Sequence, residues 1–166
     1  MDQLWAPWRL SYVAAPKKPA ADDVCFICQG LAEQNDRKNL IALRTPASVV
    51  VLNRFPYNNG HLLVAPKAHK GTLAELESAE LLQTMETLRR MIPVLDELMH
   101  PDGYNVGLNL GKAAGAGLPG HVHWHIVPRW DGDTNFMPII GETKVIVQSL
   151  EAFYDYLVAR LRETRG

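Results

Sequence analysis

One seven-residue segment constrains this chain more than any other, His121-Val122-His123-Trp124-His125-Ile126-Val127. Successive side chains on a β-strand point to opposite faces, so strict polar and apolar alternation marks a strand with two unlike sides. The alternation predicts a strand over 122–127, with His121, His123 and His125 together on one face. Val122, Trp124 and Ile126 take the other, where packing is their natural role. Imidazoles two residues apart on such a strand stand roughly 7 Å from each other. Three of the chain's six histidines fall in this one alternation. A lone histidine would read as an ordinary core residue; three in register read as chemistry.

The surrounding patterns complete a domain. The run 39–44, a Thr45-Pro46 turn and the run 48–52 predict a β-hairpin, and 61–66 a third strand entered through Asn58-Asn59-Gly60. From Ser78 to His100 the period becomes helical, with Leu81, Leu82, Met85, Leu88, Ile92, Leu95, Leu98 and Met99 at three- and four-residue steps. Pro93 inside this run predicts a kink or a break, and His100 a helix end. Strands at 104–110 and 122–127 and a terminal helix over 153–161 follow. The expected fold class is α+β, an antiparallel sheet with a long helix and a C-terminal helix. Residues 1–23, with Pro16 and Pro19, read as an N-terminal arm and linker, and 24–166 as a single domain.

Composition narrows the partners. Seventeen basic residues stand against 18 acidic ones without a polybasic patch, which argues against nucleic acid as a partner. No apolar run approaches the roughly 20 residues that span a bilayer, and the start lacks the apolar core of a secretory signal. The expectation is a cytoplasmic chain with no membrane partner.

Two chemistries fit the histidines. Paired histidines on strands serve as metal ligands, although no acidic residue follows until Asp131. Alternatively, neutral imidazole is a nucleophile near neutral pH, and attack on phosphorus divides one difficult displacement into two easier ones. The loop Gly111-Lys112-Ala113-Ala114-Gly115-Ala116-Gly117-Leu118-Pro119-Gly120 leads straight into the histidines. Its small residues let backbone N–H groups approach anionic oxygens, the makings of a phosphate cradle. Cys25-Phe26-Ile27-Cys28 adds a thiol pair, too few for a disulfide scaffold and open to either redox or metal chemistry.

Two segments carry a resemblance. His121 to Arg129 and the upstream Asn53-Arg54-Phe55-Pro56-Tyr57-Asn58-Asn59-Gly60-His61-Leu62-Leu63-Val64-Ala65-Pro66-Lys67 resemble the histidine triad (HIT) family, in its order and at its spacing. The likeness spans roughly Cys25 to Trp130. It implies a HIT-like fold, a homodimer built around a shared antiparallel sheet, and an AMP-containing nucleotide substrate. It implies His123 as the nucleophile, His125 as the residue that orients the site and touches phosphate, and His121 beside them. Asn53 would hold a ribose hydroxyl, and Asn109 would stand near the scissile phosphate with Gly115, Ala116 and Gly117. His61 would lie buried behind the nucleophile.

Trp5-Ala6-Pro7-Trp8-Arg9, the Ala114-to-Gly117 loop, and Pro128-Arg129-Trp130 followed by Gly132 to Phe136 are similar to the branch holding bacterial diadenosine tetraphosphate phosphorylases. In that branch inorganic phosphate, in place of water, takes the nucleotidyl group. Trp130, Asn135 and Phe136 are then candidates for substrate choice, and the tryptophan-rich arm for an active-site cover. Many relatives carry Gln, Ser or Thr in the loop before the triad, where this chain has only Gly, Ala, Leu and Pro from 113 to 120. A polyphosphate leaving group needs less protonation than an amine, so the departure favours a dinucleoside polyphosphate. The resemblance also supplies a ligand set for structural zinc, Cys25, Cys28, His69 and His121, with no catalytic metal at the nucleophile. The alternative from a different class is a nucleotide-binding module with little catalysis.

Overall fold

The computed structural model describes residues 24–134 and 148–164. Five strands form one antiparallel sheet: β1 (Ile41–Arg44), β2 (Ser48–Leu52), β3 (Leu62–Pro66), β4 (Gly103–Leu108) and β5 (Trp124–Arg129). Their order is β1-β2-β3-β5-β4. Helix α1 (Phe26–Ala32) precedes the sheet, α2 (Ser78–Met99) links β3 to β4, and α3 (Leu150–Glu163) closes the described chain. The expected α+β architecture is what the chain adopts. The arm from Trp5 to Arg9, with Asn135 and Phe136, lies outside the described residues.

Strands β2 and β3 are buried along their whole length, as their near-continuous apolar sequences require. Helix α2 packs across β2 and β3, and α3 against α2 and β1. The core between them holds Met91, Leu95, Phe153 and Leu157, all 3% exposed or less. Fully burying side chains of this size contributes roughly 1.5–3 kcal/mol each.

The long helix departs from its sequence pattern in two respects. It runs unbroken through Pro93. Pro93 and Arg89, whose carbonyl loses a partner to the proline ring, are both exposed. Water can take that carbonyl, while Met91, Val94 and Leu95 hold the helix to the sheet on the opposite side. In its first half the buried residues are Thr84 and Thr87, whereas Leu81 and Leu82 face outwards. The threonines are admitted because their hydroxyls are satisfied: Thr84 donates to Glu80 O at 2.7 Å, and Thr87 shares a 2.8 Å bond with Ser48. His100 ends the helix in the left-handed conformation, its N–H on Asp96 O, and Trp130 Nε1–H donates to Met99 O at 3.3 Å.

Two features position the site. β5 lies between β3 and β4, with His125 opposite Leu63 and Gly107. Gly60, at φ +73°, makes the turn that delivers His61; a Cβ there would stand 2.4 Å from Met99 Sδ.

Candidate active site and metal centre

β5 begins at Trp124, two residues later than the alternation predicts, so His121 and His123 precede the sheet ladder. A bond from Val122 N–H to Lys70 O at 2.7 Å holds this approach, and all three histidines are buried nonetheless.

Each imidazole is fixed by what takes its first nitrogen. His121 Nε2–H donates to Pro66 O at 2.8 Å, which leaves Nδ1 as a lone pair. His123 Nδ1–H donates to the carbonyl of His121 at 2.7 Å, which leaves Nε2 as the lone pair. No hydrogen bond among the described residues engages that Nε2. The third ring is set by a relay. Tyr57 N–H donates to His61 Nδ1 at 3.0 Å, and Asn53 Nδ2 lies 3.2 Å from the same atom. His61 therefore carries its proton on Nε2 and donates to His125 Nδ1 at 2.9 Å. The hydrogen of His125 is thereby forced onto Nε2, a buried atom without a partner among the described residues. The rings of His123 and His125 meet edge to face with centroids 5.1 Å apart. His61, expected behind the nucleophile, stands behind His125. Burial, and then the neighbouring His123, lower the pKa of His125 to about 4, so it is neutral over the physiological range.

The second cluster faces His121. Its Nδ1 lies 3.2 Å from Cys25 Sγ and 3.5 Å from Cys28 Sγ, and Cys28 Sγ is 3.3 Å from His69 Nδ1. The four donor atoms all lie within 4.8 Å of one another. Tetrahedral zinc with ordinary bond lengths separates sulfur and nitrogen ligands by roughly 3.5 Å, so this set fits a metal ion. Burial, and then contact with Cys25, push the Cys28 thiol up to about 11, while burial pushes His121 down. Two cysteines and two imidazoles crowded together are a donor set that a cation would deprotonate and bind. The Pro66 bond orients the His121 ligand from behind. Cys25 also caps α1, its Sγ accepting from Cys28 N–H at 3.4 Å. This helix is not legible in the sequence, because seven residues are too few to show a period.

Asn53 lines a cavity of about 390 Å³ whose apolar wall is Leu40, Val51, Leu52 and Leu63. Phe26 and Phe55 stand at it with 45% and 81% of their surfaces exposed. Neither stands out in the sequence as a site residue; the available signal was Phe55 two residues after Asn53. In the glycine-rich loop, Asn109 Nδ2 would stand 3.9 Å from a Cβ on Gly115, so these two are neighbours. The N–H groups of Gly115 and Ala116 already donate to the carbonyls of Lys112 and Gly111. Of the three expected cradle residues, only Gly117 has an N–H that no loop carbonyl takes. Trp130, by bonding Met99, serves the fold.

A model of the HIT domain matches residues 34–132. The chain is 40% identical over 154 residues to the AP-4-A phosphorylase of Mycobacterium tuberculosis, covering 90% of this chain and 79% of that protein. It is 33% identical over 90 residues to the asymmetrical bis(5'-nucleosyl)-tetraphosphatase of Schizosaccharomyces pombe, covering 54% and 49%. A zinc-bound histidine triad protein from Mycobacterium smegmatis has a similar solved structure, with TM-score 0.62 and 25% identity over 76% of this chain and 86% of that one.

Proposed function

Because the chain belongs to the HIT domain family, we propose that it is an enzyme that cleaves dinucleoside polyphosphates of the diadenosine tetraphosphate kind. One observation carries the reading. The backbone bares Nε2 of His123 while the His61 relay aims an unpartnered N–H of His125 beside it. A nucleophile next to a buried donor suits an electrophile bearing anionic oxygens.

In the proposed reaction, His123 Nε2 attacks an α-phosphorus. A P–N bond forms as the P–O bond to the departing nucleoside polyphosphate breaks, and that oxygen keeps the electron pair. His125 Nε2–H donates to the phosphoryl or leaving oxygen. An oxygen of inorganic phosphate, or of water, then attacks phosphorus, and the P–N pair returns to His123. With diadenosine tetraphosphate the products are ATP and, from phosphate, ADP. Asn53, which lines the cavity and abuts His61, would hold the ribose. Asn109, with Gly115 beside it and Gly117 beyond, forms the proposed phosphate side.

Cys25, Cys28, His69 and His121 would hold zinc as a structural ion, tying α1 to the end of β3. With four protein ligands it has no open position for catalysis. The edge strand β4, with Val106 47% exposed, offers a ladder to the β4 of a second copy, and this is the proposed dimer. No described helix is long and apolar enough to cross a membrane. Both cysteines are free thiols, which suits a reducing cytoplasm.

Product analysis on diadenosine tetraphosphate, with and without added orthophosphate, tests the proposal. ADP that forms only with phosphate establishes phosphorolysis, and AMP formed in its absence establishes water as the acceptor. Tight AMP binding with no turnover in either case would reduce the chain to a binding module.

A further inference from the structure

Beyond Asn53, the cavity is lined by four polar side chains, Gln29, Lys38, Asn39 and Arg54. Glu33, at the foot of α1, organises them. Its Oε1 accepts from Gln29 Nε2–H at 3.1 Å, and its Oε2 from Asn39 Nδ2–H at 3.0 Å and Lys38 Nζ at 3.1 Å. These donors, Asn39 foremost, hold the Glu33 carboxyl down at about 2. An ionised carboxylate can only accept, so both amides turn their nitrogens towards it. Asn39 gives its second hydrogen to Asn35 O at 3.1 Å. Both hydrogens are then spent, and Oδ1 is all that Asn39 can offer a ligand. Gln29 likewise keeps its Oε1. The two cations are drawn aside: Lys38 bonds Glu33, and Arg54 Nη2 bonds Lys38 O at 3.2 Å.

We propose that Glu33 turns the Asn39 and Gln29 carbonyls into a reader for the exocyclic amine of a purine, making this cavity selective for 6-aminopurine nucleotides. The inference rests on the nucleotide reading above and adds a specificity residue pair and its positioning residue. The 6-amino group of adenine carries two hydrogens that a pair of carbonyl oxygens can accept. A purine without that amine leaves the carbonyls with no donor, and a 6-oxo group sets oxygen against oxygen.

The test is calorimetric titration of the whole chain with AMP, purine riboside 5'-monophosphate, which lacks only the amine, and IMP. AMP should bind at least about fivefold more tightly than the purine riboside nucleotide, the worth of roughly one hydrogen bond in a half-open site. In Glu33→Gln the neutral amide can also donate, so its neighbours are free to turn and the AMP preference should fall towards one. A purely structural role for Glu33 would weaken all three nucleotides alike and leave the ratio intact, which overturns the proposal. If the variant fails to fold, the unaltered chain still decides, since equal affinity for AMP and the amine-free nucleotide also overturns it. In that case the enzymatic reading survives, whereas no nucleotide binding at all defeats both.

Discussion

His121 and His123 are two residues apart, both buried, and each gives one N–H to a backbone carbonyl, yet they end in different chemistry. His121 gives its Nε2–H to Pro66, so the nitrogen nearer its own backbone, Nδ1, turns to two thiols. His123 gives its Nδ1–H to His121, so the far nitrogen is bare. Identical side chains become a proposed metal ligand in one case and the proposed nucleophile in the other, through the choice of nitrogen. Burial and residue type did not separate them.

The sharpest way to break this comparison is His123→Ala. Turnover of diadenosine tetraphosphate should fall at least about 10³-fold, read by product chromatography, with a melting temperature close to that of the parent. Alkaline quenching of the parent with substrate should leave nucleotidyl mass on the peptide bearing His123; undiminished turnover in the variant would remove the mechanism. The converse manipulation, exhaustive chelation or Cys28→Ser, should lower melting by about 10 °C or more. At temperatures where the stripped chain stays folded, activity should persist. Loss of activity there would make the ion catalytic and erase the distinction. Next in size, His61→Ala removes the group that fixes the His125 tautomer. It should cost about 10–100-fold in turnover, with little change in the affinity for AMP. The smallest effect is on pH. His125, depressed to about 4 against an ordinary 6.5, is more protonated in the unfolded chain. Its contribution to stability is therefore complete above about 6.5 and is lost as pH falls towards 4. Nitrogen NMR of labelled histidine should show that ring neutral at pH 5.5; a charged ring there would undo the relay.

Much of this was legible in the sequence because it is written locally. Apolar runs between turns gave β1 to β3, the helical period gave α2, and the triad segment with Asn53 to Lys67 gave the family. What stayed hidden depends on other parts of the chain. Nothing at Pro93 announces that the carbonyl it orphans, that of Arg89, lies on the exposed side, and nothing at Thr84 or Thr87 announces a waiting partner for its hydroxyl. The triad's alternation spoke of one continuous strand, but the ladder starts at Trp124, because the approach to it is anchored instead by the Val122 N–H on Lys70 O and the His121 ring on Pro66 O. Cys25, Cys28, His69 and His121 could be gathered from a resemblance, whereas their distances needed the fold. Glu33, which orders the amides of the cavity, carries no motif at all.

That late start of β5 divides the triad between two levels of protection. His125 is embedded in a strand with neighbours on both sides, so its amide should exchange with solvent only when the sheet opens. His121 and His123 hang from a short tether that can loosen on its own. A bound ion would pin one end of that tether, and so its release would be felt first as faster exchange at residues 121–123, well before any strand gives way.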